Sequence, residues 1–474
     1  MSTSLRTSLP VGRQGYGRQA RQIATSTLWQ VGSQVVMAFL SIITVKFVAL
    51  GLTKELAGQY NTAYGFLQIF GILADFGLYA VAVREVSRAD EEEKATVFGT
   101  IIALRILTLL LSLALALMLV WWLPAWRGTV LPLGITIAAF VPFFTLLAGI
   151  IRTVFQVRYQ MHFVFIAEVS QRLLTVLLTG TVIFLGLRES NDSYYYYLFL
   201  SFGGIGAGLL FVFSFFFGRT LLPIRPQWDT KLMKHIARQA LPYGLAFLCT
   251  ALYRQSDVTI IGLLRSDYAI QNAYYGFVQR AMDMAYLFPT FLLNSTLPTL
   301  SERLHKGEDI RSLLGKTFQI ILLLGTTLFL FSFFWSRPIM ELITNVRYLS
   351  TPDHPGSDTA LHLLAFSMFF NGIILFCFYS LLTIHRWRPL VWTLALGSVI
   401  SITSNILLVP RLGFIGACYS SILTHITLAV ILLPLTARIL PFSWTAKNML
   451  QWLAYAILLG AALWLVASLL LSHS

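Results

Sequence analysis

Long apolar runs broken by short polar and basic segments set the pattern of this chain from residue 27 to residue 471. A membrane-crossing helix takes ~20 mostly apolar residues. Runs of that kind predict spans near 27–50, 63–84, 97–123, 130–151, 163–187, 194–218, 240–264, 272–299, 317–336, 360–384, 389–409, 412–437 and 449–471. The last run also suits an interfacial helix, so the pattern predicts about 12–13 transmembrane helices in an all-α integral membrane protein. Residues 1–26 read as a basic tail on the inner side. The apolar run that follows is longer than a signal-peptide core of about 7–15 residues, and reads as an uncleaved first span.

Composition agrees with this pattern. The chain is 57% hydrophobic and 11% charged, against about 25% charged for a soluble domain. Its three cysteines lie in apolar runs without metal-ligand spacing, so they read as small buried hydrophobes. Orientation follows from Lys and Arg. With the N-terminus inside, most of the 34 Lys and Arg fall in inner segments. The outer segments carry only Lys54, Arg127, Arg188, Arg265, Arg337, Arg347 and Arg411. The net charge of +14 is then a charge of cytoplasmic loops facing an anionic leaflet, and calls for no nucleic acid. A multi-pass protein of the cell inner (plasma) membrane with a cytoplasmic N-terminus is the expectation.

One phrase occurs twice. "NTAYGFLQ" at 61–68 returns as "NAYYGFVQ" at 272–279, an offset of 211 residues. At the same offset Gly51-Leu52 falls on Gly262-Leu263, and Lys54 on Arg265. Both copies bridge the end of one span, an outer loop and the start of the next. Spans 1–2 thus correspond to spans 7–8 in the same orientation. Two parallel six-helix halves with a substrate site between them are a transporter architecture. The pattern divides the chain into a tail at 1–26, an N-lobe at 27–218, a linker at 219–239, a C-lobe at 240–437 and an additional C-terminal helix within 438–474.

Four stretches carry a family resemblance: "LGLTKELAGQYNTAYGFLQIFGILADFGLYAVAVREVSR" at 50–88, "LPYGLAFLCTALYRQSDVTIIGLL" at 241–264, "NAYYGFVQRAMDMAYLFPTFLLNSTLPTLSER" at 272–303 and "SNILLVPRLGFIGACYSSILTH" at 404–425. In the last, Asn405, Pro410, Gly413, Gly416 and Ala417 fit the family pattern. The chain resembles the polysaccharide flippase branch of the multidrug/oligosaccharidyl-lipid/polysaccharide (MOP) exporter superfamily. The resemblance implies a V-shaped, two-lobed carrier. It would move a polyprenyl-pyrophosphate-linked oligosaccharide across the inner membrane by alternating access, without cofactor or metal. It also implies membrane lipids, H+ or Na+ as driving ion, and other polysaccharide assembly proteins as partners.

Charges at bilayer depth are costly and mark cavities or pairs. The spans hold Lys46, Arg105, Arg172, Arg254 and Arg280 against Asp75, Glu168, Asp257 and Asp283. Helical spacing of three or four predicts pairs Glu168–Arg172, Arg254–Asp257 and Arg280–Asp283, which either only neutralise one another or hold a guanidinium ready for cargo. Lys46 and Asp257 share the repeat offset and are expected on opposite walls at equal depth, unless Lys46 snorkels outward. Asp75 has no cation on its own helix. It reads either as a buried, hydrogen-bonded carboxyl or as a proton or sodium site. A pyrophosphate suits guanidinium groups, which bind phosphate oxygens with paired bonds. The substrate-binding candidates are therefore Arg254, Arg280, Lys46 and Arg105. The ion-coupling or charge-pair candidates are Asp75, Asp257, Asp283, Glu168 and Arg172. Pro142 in the fourth span and Pro289 and Pro298 in the eighth predict kinks. A cation-coupled drug exporter of the same superfamily is the competing reading. A membrane glycan polymerase or ligase is another, disfavoured because the outer loops are short.

Overall fold

The computed structural model describes residues 13–384 and 386–472. Residues 1–12 of the basic tail and the last two residues of the C-terminal segment lie outside the described part. Among the described residues the protein is helical, without a β-strand. In a bilayer each backbone N–H and C=O needs an internal partner, and a helix provides it within one segment.

The helices run α1 (Arg13–Gly51), α2 (Lys54–Asp75), α3 (Leu78–Arg88), α4 (Lys94–Trp122), α5 (Leu131–Ala138), α6 (Phe140–Val157), α7 (Met161–Phe184) and α8 (Ser193–Gly218), then α9 (Thr230–Leu264), α10 (Tyr268–Ala285), α11 (Leu287–His305), α12 (Arg311–Phe334), α13 (Ser336–Ile343), α14 (Ser357–Thr383), α15 (Trp387–Leu412), α16 (Phe414–Ile439) and α17 (Ala446–Ser472). Among the described residues, eleven helical segments are long and apolar enough to cross a membrane, α2 with α3 and α5 with α6 each counting as one. The expected spans at 240–264 and 272–299 are not among them, although α9 and α10–α11 occupy those places. Arg254 and Asp257 interrupt one and Arg280 and Asp283 the other, so apolarity alone does not mark them.

Two groups of helices build the V-shaped fold. In the N-lobe α1 packs on α7, α7 on α8, α8 on α6, and α2 on α4 and α5. In the C-lobe α9 packs on α15, α15 on α16, α16 on α14, and α14 on α12. The lobes meet where α2 lies against α10 and α9, and where α3 lies against α9. The last helix, α17, packs on α12 alone among its substantial contacts. A polar seam fixes it there: Trp452 Nε1 donates to Thr326 at 2.8 Å, and Asn448 Nδ2 to Gln319 at 3.0 Å.

Three spans are broken, two of them just ahead of a proline. Proline removes the bond to the carbonyl four residues back and crowds it. α5 ends at Ala138, four residues before Pro142, and α10 ends at Ala285, four before Pro289. Between α2 and α3 the chain passes through Phe76 and Gly77, with φ of 37° and 73°. Glycine takes the left-handed region without a Cβ penalty. A Cβ on Gly77 would also stand 2.5 Å from Tyr243 Cβ on α9. The breaks after Asp75 and after Ala285 fall at nearly the same place in the two copies of the repeat.

Candidate functional site

The repeated phrase lies where the lobes touch at the end expected to face outward. Asn61 Nδ2 donates to the Asn272 carbonyl at 3.1 Å, and Asn272 Nδ2 donates to Thr62 Oγ1 at 2.9 Å and to the Val258 carbonyl at 2.9 Å. Glycines make the approach possible. A Cβ on Gly58 would lie 1.6 Å from the Ala269 carbonyl oxygen, and one on Gly276 2.5 Å from Asn61 Cβ. Trp126, fully buried, donates its indole N–H to the Gly262 carbonyl at 2.8 Å. Further out, Arg347 donates to the carbonyls of Ala49 and Leu52 at the end of α1 and pairs with Glu189 at 2.9 Å. At the opposite end the lobes touch again, through Gly77 against Tyr243 and through Arg84 donating to Gln239.

Between these two sets of contacts lies a cavity of about 950 Å³. Its wall includes Arg172 on α7 from the N-lobe and Arg254 and Arg280 on α9 and α10 from the C-lobe. Asp75 and Asp283 also line it, as do Gln34, Gln68, Gln171, Gln255 and Gln279. Gln68 and Gln279 are the last residues of the two phrases. The duplication therefore places an amide from each lobe on the same cavity.

Every charged pair expected from helical spacing is redrawn. Arg254 bonds Asp283 on the neighbouring α10, at 2.8 Å, rather than Asp257 on its own helix. Its guanidinium carbon lies 4.6 Å from the Tyr286 ring centroid. Arg280 makes no close ion pair with Asp283 among the described residues. It stands 5.0 Å from the centroids of both Tyr60 and Tyr64 across the lobe boundary. Glu168 pairs with Arg152 on α6 at 2.7 Å and accepts a hydrogen bond from Ser33 on α1, so Arg172 is released from it. Asp75, which has no cation on its own helix, pairs with Arg105 on α4, which also donates to the Ala74 carbonyl at 3.2 Å. Each of these carboxylates takes its cation from a packed neighbouring helix rather than from one turn away.

Two of the proposed cavity cations lie elsewhere. Arg105 is 1% exposed and sits behind Asp75, off the cavity wall. Lys46 extends from α1 to donate to the Glu341 carbonyl, at 2.8 Å, near the end of α13. It therefore does not face Asp257. That carboxylate is 1% exposed inside the C-lobe, where it accepts hydrogen bonds from Tyr275 and, at 2.8 Å, from Asn405 Nδ2 on α15. Among the described residues no cluster of His, Cys, Asp or Glu forms a metal site. The aromatic pair Tyr60–Tyr64, with centroids 4.8 Å apart, and the glutamine wall were not singled out from sequence, although the duplicated phrase contains or adjoins several of them.

A family model described as "Polysaccharide biosynthesis protein" matches residues 23–304. No curated protein matches the chain. Among solved structures, one titled "Lipid II flippase MurJ, inward closed conformation" aligns with a TM-score of 0.68 at 14% identity, covering 95% of this chain and 99% of that one. A multidrug resistance MATE family transporter of the MOP superfamily, in an inward-facing conformation, aligns with a TM-score of 0.66 at 11% identity, covering 87% and 98%. A MATE multidrug transporter, DinF-BH in complex with R6G, aligns with a TM-score of 0.62 at 14% identity, covering 88% and 95%. The two-lobed helical bundle with its inter-lobe cavity is thus the fold of the MOP superfamily, and the sequence match over more than half of its length shows that the chain belongs to the polysaccharide biosynthesis protein family.

Proposed function

We propose that the protein is a flippase that carries a polyprenyl-pyrophosphate-linked oligosaccharide across the inner membrane by alternating access, with residues 27–218 and 240–437 as its two moving lobes. The observation that carries this reading is the charge of the cavity. Arg172, Arg254 and Arg280 line it, while its two carboxylates are already engaged, Asp283 by Arg254 and Asp75 by Arg105. Burying a free pyrophosphate in hydrocarbon is prohibitive. Guanidinium groups in a water-filled cavity replace its hydration with charge-assisted hydrogen bonds. The glutamine amides offer donors and acceptors for the hydroxyls of the first sugars. A cavity of about 950 Å³ lies at the upper end of ordinary ligand pockets. It suits the pyrophosphate and the sugars next to it, with the lipid tail left in the bilayer.

A drug exporter of the same superfamily would need carboxylates available to organic cations, and the two on this wall are occupied. Asp257 is the proposed site of the driving ion, H+ or Na+. It is a buried carboxylate facing only neutral partners, Tyr275 and Asn405. Basic inner loops give the proposed orientation, with a cytoplasmic N-terminus.

Reconstitution tests the proposal. Proteoliposomes holding the purified protein and a fluorescent prenyl-pyrophosphate disaccharide should expose the lipid to an impermeant quencher faster than empty vesicles. Equal quenching rates, together with uptake of organic cations by the same vesicles, would reverse the assignment in favour of drug export.

A further inference from the structure

We propose that His235 is an acid-sensitive release for the contact that joins α3 to α9 at the inner end. The proposal rests on the alternating-access reading above and not on the cargo. Arg84 on α3 donates to the side-chain carbonyl of Gln239 on α9. The amide nitrogen of Gln239 lies 2.6 Å from Nε2 of His235, one turn back along α9. Arginine carries no acceptor. The amide oxygen must therefore face Arg84, and the amide NH2 is what remains to face His235. Nε2 of His235 accepts from it, which only a neutral imidazole with its proton on Nδ1 can do. The contact between the lobes thus runs through a histidine that has to be uncharged.

A proton on His235 turns this acceptor into a donor. Its Nε2–H then points at the Gln239 NH2, and turning the amide over sets that NH2 against Arg84. No orientation of the amide satisfies both sides, so one of the two hydrogen bonds is lost. The added charge also meets a basic surface. α9 brings Lys231, Lys234 and Arg238 to this end, α3 brings Arg84 and Arg88, and the start of α15 brings Arg386 and Arg388. The acids of this end offer little relief. Glu85 pairs with Arg84 at 3.2 Å, Glu91 ahead of α4 pairs with Lys94 at 2.6 Å and Arg158 at 2.7 Å, and Asp229 caps the first turn of α9. Asp90, Glu92 and Glu93 stand exposed in the segment before α4. His235 is itself exposed, so protons reach it from the inner solution. The rest of the contact, Gly77 against Tyr243, carries no group that titrates near neutrality. Histidine changes charge between about pH 5 and 8. Acid on the inner side therefore loosens this end, and with it favours the state open to the cytoplasm.

Labelling of a cavity cysteine from the inner side tests this. Ser41 on α1 lines the cavity, and inside-out vesicles present the inner end to an impermeant maleimide. Labelling of Ser41→Cys is followed by mass spectrometry of the peptide that carries it, at about pH 8 and about pH 5.5, on either side of the histidine range. Each rate is divided by that of Ser41→Cys/His235→Gln, which cancels the pH dependence of the thiol. Glutamine keeps an acceptor oxygen for Gln239 at both pH values. The ratio should therefore be close to unity in the alkaline sample and rise about two- to tenfold in the acid one, the worth of one hydrogen bond. His235→Lys should hold the raised rate in both. Gln239→Glu should remove the rise, since a carboxylate accepts from Arg84 and from a protonated His235 together. A ratio that stays at unity in acid overturns the proposal, and so does a rise that survives Gln239→Glu. Arg84→Ala should label at the raised rate in both samples. A cysteine that reacts from this side in none of these proteins would overturn alternating access itself, and the release with it.

Discussion

Asn61 and Asn272 hold the same place in the two copies of one phrase, and they meet: Asn61 Nδ2 donates to the backbone carbonyl of Asn272 at 3.1 Å. A duplicated chain whose halves are related by an axis along the membrane normal brings equivalent residues together only near that axis. The asparagines mark where it passes at the end expected to face outward. Both are buried, at 3% and 0% exposure. Opening that end therefore breaks hydrogen bonds that water must replace.

Gly58 is the most sensitive point of this contact, since an added Cβ would lie 1.6 Å from the Ala269 carbonyl oxygen. Gly58→Val should force α2 and α10 apart. Lys54 Nζ reaches the Tyr274 hydroxyl at 3.1 Å across the same boundary, so a Lys54→Cys/Tyr274→Cys pair offers a crosslinking readout. The crosslink yield is expected to fall severalfold on adding Gly58→Val. An unchanged yield would show that the two helices are not held at this spacing.

Arg347 latches the same end. It reaches from the segment after α13 to cap the last carbonyls of α1 and to pair with Glu189. Hydrogen bonds to charged groups are worth about 1.5–3 kcal/mol. Arg347→Ala should shift the protein toward the state open at this end by an amount of that order. A cysteine at Gln68 on the cavity wall should then react faster with an impermeant maleimide added from outside. A labelling rate equal to that of the otherwise unaltered Gln68→Cys protein would remove the latch.

Asp75 and Arg105 should behave as one unit. Arg105 is buried and its partner neutralises it. Removing one member of a buried pair typically costs ~3–5 kcal/mol, less here because Asp75 also faces the cavity. Asp75→Asn should therefore lower the melting temperature, and Asp75→Asn/Arg105→Gln should recover most of the loss. Full stability of the single variant would return Asp75 to the role of an independent ion site.

The sequence made the helical spans, the basic loops and the duplication legible because each is written in local composition or in a fixed offset. Pro142 and Pro289 likewise announced their breaks, since a missing N–H acts on the carbonyl four residues away. The break at Phe76–Gly77 carried no such marker: it depends on the close approach of Tyr243 from another helix. The partners of the intramembrane charges were not legible for the same reason. Glu168 lies one turn from Arg172 in sequence, yet Arg152 and Ser33 come from two other helices, and only the packing of α1, α6 and α7 reveals them. Lys46 lies in an apolar run, and its outward reach to Glu341 depends on where α13 folds back.

The cargo is tested most directly in cells depleted of this protein, by mass spectrometry of the lipids that accumulate. The account predicts a build-up of a polyprenyl-pyrophosphate-linked oligosaccharide, relieved by the wild-type chain and not by Arg280→Gln expressed at equal level. An unchanged pool of lipid-linked glycan, with a changed tolerance to cationic drugs, would contradict it.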